Sequence, residues 1–153
     1  IDGMVIITTP QDVALLDSRK SIGFASSLKV PVIGVVENMS GYTIRGTAQA
    51  GQKITIEAPG GRQLDVEVGD DGSWSATLDI FKQGGGEETA AEMEVNFLGR
   101  LPFDPGVVRG GDDGVHRIIA DPEGESAIAF SRVVSGINEF LASANNEDDL
   151  EII

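Results

Sequence analysis

The chain has 153 residues, enough for one domain with a core of its own or for a domain carrying a small insert. Its 11 basic and 25 acidic residues give a net charge of −14, a field that repels phosphate backbones and anionic lipid and argues against nucleic acid or membrane as the main partner. There is no cysteine and one histidine, His116, which removes disulfides, thiolate ligation of a metal or cluster, and histidine-based metal groups.

No apolar run approaches the roughly 20 residues that span a bilayer. The apolar start, 1–9, lacks the basic flank and cleavage site of a signal peptide, so a cytoplasmic location is expected. The first residue is Ile1 rather than Met and leads straight into a strand-like run, which suggests further sequence upstream.

In chain order, residues 4–8 (Met-Val-Ile-Ile-Thr) have the pattern of a strand buried on both faces of a parallel sheet. Thr9, Pro10 and Asp12 read as a helix start: a cap, a proline preset for the first turn, and an acid at the positive end of the dipole. Val13, Leu16, Phe24 and Leu28 fall along one face of that helix, with Lys20 breaking the stripe. Pro31 closes the element, and residues 32–36 form a second buried-type strand, completing a βαβ unit.

Across 43–78 the period changes to two. Ile54 and Ile56, then Leu64, Val66 and Val68, then Trp74, Ala76 and Leu78 alternate with polar residues. Turn signals at Ala50-Gly51, Pro59-Gly60-Gly61 and Asp70-Asp71-Gly72-Ser73 separate these runs, which predicts a small antiparallel meander. Asp65, Asp70 and Asp71 read as turn acids before they read as calcium ligands.

The α/β pattern returns at Asp79, with a glycine turn at 84–86, a helix at 87–93 and a strand at 96–101. Asp104-Pro105 and Asp121-Pro122 each read as a helix start. A last helix from 123 to about 143 carries Phe130, Val134, Ile137 and Leu141, and the acidic tail 145–153 reads as flexible. The fold class is therefore α/β. A mainly parallel sheet with helices on both faces spans 1–42 and 79–144, and a β insert occupies 43–78.

Four stretches carry a resemblance to the Mrp/ApbC family of P-loop ATPases. They are Thr8-Thr9-Pro10-Gln11-Asp12-Val13-Ala14-Leu15-Leu16-Asp17 with Arg19-Lys20, and Gly34-Val35-Val36-Glu37-Asn38-Met39-Ser40-Gly41. After the insert come Asp79-Ile80-Phe81 leading to Gly84-Gly85-Gly86, and Phe97-Leu98-Gly99-Arg100-Leu101-Pro102 with Asp104-Pro105. The resemblance implies the C-terminal part of an iron–sulfur cluster carrier that binds Mg-ATP and works as a homodimer. It implies Asn38 beside the adenine, where a side-chain amide offers both donor and acceptor. It also implies Pro102 and Asp104 in the loop that closes over the base, at the carboxyl ends of the strands.

Two departures qualify that likeness. The family's glycine-rich phosphate loop ending in Lys-Ser or Lys-Thr is nowhere in 1–153, and Gly84-Gly85-Gly86 runs into Glu87-Glu88, which repel phosphate. The resemblance places that loop upstream, so the chain is expected to be a fragment without ATP hydrolysis, catalytic residue or metal ligand of its own. Where the family carries a Cys-x-x-Cys pair able to hold a bridging cluster, this chain has the β insert. The insert resembles part of a bacterial Ig-like repeat, which implies a binding or spacing module. The alternative function is a non-enzymatic scaffold that meets a protein partner through the insert, with Trp74 as an anchor.

Overall fold

A computed structural model describes residues 1–58 and 60–148, the side chains of 145–148 aside. Among these residues the order is β1 (Met4–Thr8), α1 (Asp12–Ser27), β2 (Val32–Glu37), β3 (Tyr42–Thr47), β4 (Lys53–Ala58), β5 (Arg62–Glu67), β6 (Ser73–Leu78), α2 (Gly85–Glu92), β7 (Phe97–Arg100), α3 (Pro105–Asp113), α4 (Arg117–Ala120) and α5 (Glu125–Asp148). β1, β2 and β7 form a parallel sheet in the order β1-β2-β7. Its register sets Thr8 level with Glu37 and Glu37 level with Arg100.

The middle strand is buried from Ile33 to Glu37, as a strand covered on both faces must be. On one face Ile6, Ile22, Val35 and Ala90 join β1, α1, β2 and α2. On the other, Val36, Leu101 and Val133 pack with Phe130 and Ile137, seating α5. The expected α/β architecture is what forms, and the sheet is built so that its carboxyl ends converge.

Helix α1 departs from its sequence reading. It begins at Asp12 with Gln11 at the cap position; the Thr9 hydroxyl donates to Gln11 Oε1 at 3.0 Å, and Pro10 is buried ahead of the helix. Its buried face is Leu15, Ser18, Ile22 and Ala25, while Val13, Leu16, Phe24 and Leu28 are exposed. At about 100° per residue these sets lie on opposite sides of the helix. Small side chains at Ser18 and Ala25 let the axis approach the sheet closely, and a stripe containing Lys20 cannot be buried without cost.

Asp121-Pro122 does not start a helix. Asp121 closes α4, residues 122–124 make a turn, and α5 begins at Glu125. Along α5 the exposed Val134 gives its expected core place to Val133. The helix runs on to Asp148, so the first part of the predicted tail is helical, and 149–153 lie outside the described residues.

The antiparallel strands of 42–78 pair as nested ribbons rather than as a meander. β3 pairs with β6 from Tyr42↔Leu78 to Thr47↔Ser73, and β4 pairs with β5 from Lys53↔Glu67 to Ala58↔Arg62. Both pairs keep one register, as in a single long hairpin, interrupted by turns closed by Gln52 N–H on Gln49 and Gly72 N–H on Gly69. A straight hairpin would hold Arg62 roughly 50 Å from Leu78. Instead Arg62 reaches Asp79, next to Leu78, at 3.3 Å, so the hairpin is folded in half. Folding brings Ile54, Ile56, Leu64 and Val66 out of full exposure and buries Ala58 and Val68. Asp71 is a turn acid, accepting from Ser73 N–H at 2.9 Å and Ser73 Oγ at 2.7 Å.

Trp74 packs across to the neighbouring strand of this unit. Its ring covers Gly46, its cross-strand partner, where an added Cβ would stand 2.5 Å from Cζ2. The α/β body is met by Tyr42, edge-on to Phe103 at 5.7 Å, and by Arg45, which bridges to Glu125 at 2.5 Å.

Candidate functional site at the carboxyl ends of the parallel strands

The loops that follow β2 and β7 extend the ladder past the sheet. Asn38 N–H donates to Thr8 at 2.7 Å, Leu101 N–H to Glu37 at 2.8 Å, Ser40 N–H to Leu101 at 3.0 Å and Phe103 N–H to Gly41 at 2.8 Å. Within the first loop Met39 holds a φ of 56°, a left-handed conformation that costs a non-glycine residue energy and needs support. Asn38 Oδ1 supplies part of it, accepting from Met39 N–H at 2.9 Å.

Asn38 thus stands at the end of the central strand with its amide oxygen engaged and, among the described residues, no acceptor on its amide nitrogen. It lines an open cavity of about 440 Å³ with Thr8, Thr9, Asp17, Ser18 and Ser21. Pro102 and Asp104 lie one strand away and face a different cavity, of about 310 Å³, with Tyr42, Arg45, Arg117 and Ser126. The structure therefore ties the two loops together but turns their predicted site residues toward separate spaces.

Asp104 is engaged through both of its oxygens. Its Oδ1 accepts from Gly106 N–H at 2.7 Å as the N-cap of α3, with Pro105 next, as the sequence predicts. Its Oδ2 accepts from Arg117 Nε and Ser126 Oγ, both at 2.7 Å. Burial alone would raise its pKa, but these bonds and the Arg117 charge outweigh burial and hold it below the usual carboxylate value. Asp104 organises α3, α4 and α5 and has little left to offer a ligand.

The residue that sequence reasoning passed over is Glu37. Its side chain is 0% exposed, at the end of β2. Oε1 accepts from Ser40 Oγ at 2.6 Å and from Gly84 N–H at 3.1 Å, with Arg100 Nε at 3.4 Å; Oε2 accepts from Gly86 N–H at 2.7 Å. Arg100 also pairs with Glu87 and lies over the Phe97 ring. Burial pushes the Glu37 pKa up, yet the bonds from Ser40, Gly86 and Gly84 and the Arg100 charge bring it below its ordinary value. The available signal was its place at the carboxyl end of a strand too apolar to carry a charge without partners.

These contacts decide which ligand groups fit. A helix start is a natural anion site, but the α2 start is already filled by the Glu37 carboxylate, so it does not cradle phosphate. The Asn38 amide nitrogen, without an acceptor among the described residues, can donate to an acceptor on a ligand. An iron–sulfur cluster has no partner, because the sequence has no thiolate to offer. Among the described residues no group of His, Asp and Glu is placed to hold a metal ion, and no helix is long and apolar enough to cross a membrane.

Comparison with known proteins agrees with this architecture. The ParA family model described as NUBPL iron-transfer P-loop NTPase matches residues 1–69 and 71–138. Proteins named iron-sulfur cluster carrier protein from Methanococcus maripaludis and Methanocaldococcus jannaschii are 35% and 33% identical over 139 residues, 91% of this chain. The chain spans 38% of the length of each of these relatives. The crystal structure of the Pyrococcus furiosus cell division ATPase MinD aligns over 90% of this chain and 43% of its own, with a TM-score of 0.55 at 19% identity, a likeness of fold. The chain belongs to the ParA/NUBPL family of iron-transfer P-loop NTPases.

Proposed function

We propose that residues 1–153 are the C-terminal portion of an ATP-binding iron–sulfur cluster carrier and form the wall beside the adenine. Polypeptide outside this range supplies the phosphate loop, the magnesium ligands and the catalytic acid. The observation that carries this reading is the uncommitted amide nitrogen of Asn38, at the carboxyl end of the central parallel strand. An adenine ring nitrogen can accept from that amide, and ligands of open α/β sheets gather at this end. Pro102 shapes the neighbouring loop, and Asp104 braces it through Gly106, Arg117 and Ser126.

On this reading the chain alone does not hydrolyse ATP, since residues 1–153 contain no Gly-rich loop ending in Lys-Ser or Lys-Thr. The cluster is cargo, held in a cytoplasmic homodimer by groups that residues 1–153 do not contain. The 42–78 unit, read as an Ig-like spacing or binding module, stands in place of the family's cysteine pair.

The test is an NMR titration of the 153-residue chain with ADP and with ATP plus magnesium. Weak saturable shifts are expected at the Asn38 side-chain amide and the backbone of 101–104. Asn38→Ala should abolish the shifts at 101–104, and the Trp74 indole should stay still. No shift in a folded chain, or shifts centred on Trp74, would sink the nucleotide reading and favour a scaffold acting through the insert.

A further inference from the structure

We propose that Glu37 is a positioning residue whose one buried carboxylate locks the Asn38 loop and both legs of the 42–78 unit to each other. Its purpose in nucleotide binding rests on the reading of Asn38 as the base contact; the lock itself does not.

The hairpin leaves the α/β body at Gly41 and returns through residues 79–84. Glu37 touches both routes: Ser40 lies just before the exit, and Gly84 and Gly86 lie at the return, where Gly84 takes a φ of 94° to turn into α2. On the exit side, the Glu37–Ser40 bond closes a small ring around Met39. Met39 is the left-handed residue whose N–H holds the Asn38 oxygen. Opening that ring frees Met39 to leave its strained conformation, and the Asn38 amide loses the contact that aims it. On the return side, the same carboxylate binds two amides at the start of α2.

The chemistry explains why a charged group is used. A carboxylate only accepts, and here it meets a hydroxyl, two backbone N–H groups and a guanidinium. Glutamine has the same shape but turns an NH₂ toward at least one of these donors. A buried charge survives only when paired in this way. Arg100, fixed by Glu87 and the Phe97 ring, completes the pairing from β7.

The experiment compares the wild-type chain with Glu37→Gln and Ser40→Ala by NMR, without nucleotide. Amide exchange at Gly84 and Gly86 reads the return side, and three-bond couplings at Met39 read its left-handed φ. In Glu37→Gln the single amide oxygen can serve only one of the two carboxylate positions, so exchange at Gly84 or at Gly86 should rise at least about tenfold, the scale of a lost hydrogen bond to a charged group. In Ser40→Ala the Met39 couplings alone should change, with the glycines still protected. Should Glu37→Gln fail to fold, Ser40→Ala decides. Met39 keeping its left-handed couplings in folded Ser40→Ala would overturn the proposal and leave Glu37 as an anchor of α2 only. If the couplings change while ADP still shifts nothing, the lock stands and the nucleotide reading falls.

Discussion

Ile22 and Phe24 are two positions apart on α1, yet Ile22 is 1% exposed against the sheet and Phe24 is 63% exposed on the opposite face. Two helical steps turn the side chain through about 200°, so neighbours in an apolar sequence meet opposite environments. Ile22→Ala should cost about 2–5 kcal/mol, the range for a truncated core isoleucine. Phe24→Ser should change stability by no more than about 0.5 kcal/mol, as surface substitutions do. Urea unfolding of both variants checks this; equal losses would mean that α1 is rotated.

Acid stability should report on Glu37. Its carboxyl is held below its ordinary value of 4.5 in the folded chain. A carboxyl made more acidic by folding stabilises fully above its unfolded value, and that contribution disappears as pH falls through the folded value. Asp104 is shifted in the same direction and adds to the effect. Stability should therefore fall on acidification below about pH 4.5. Glu37→Gln should be less stable at neutral pH and show a flatter acid limb in urea titrations; an unchanged acid slope would exonerate Glu37.

Asp104→Ala removes the N-cap of α3, which by itself costs roughly 1 kcal/mol. It also takes the acceptor from Arg117 and Ser126, so the measured loss should exceed the cap alone. Hydrogen exchange should quicken in α3 and α4 and stay unchanged across β1 and β2. A uniform increase would show that Asp104 supports the whole fold and not this corner.

Gly46→Ala places a methyl group where the Trp74 ring lies. Trp74 is the only tryptophan, so its emission reads this contact without interference. The ring should be displaced, changing the emission maximum, while Ile22 and Val35 keep the α/β core intact. Unaltered fluorescence would mean that the ring packs elsewhere.

Much of the fold was legible because it is written in short-range chemistry. Met4–Thr8 reads as a strand from its own β-branched run, and it is one, but the expected burial on both faces fails: β1 is an edge of the described sheet, and Ile7 is 64% exposed. Asp104-Pro105 reads as a helix start because cap and proline act within one turn, and Asp104 does bond Gly106 N–H. The same words at Asp121-Pro122 fail, since Arg117 draws the Asp121 carboxylate back onto α4 at 2.9 Å. Asn38 could be placed at a strand end, but not the turn of its side chain away from the cavity of Pro102 and Asp104.

The sequence by itself determined the fold class, the family likeness and the absence of thiolates, because these follow from composition, local periodicity and contiguous motifs. Only the tertiary structure decided which face of α1 is core, that the insert is a hairpin folded in half, and that Glu37 is the buried joint between residues 40 and 86. Each of these depends on partners distant in the chain: α1 on the sheet, Arg62 on Asp79, Glu37 on two glycine amides. A local pattern states what a residue prefers, and the contact that forms depends on which distant groups the fold brings within reach.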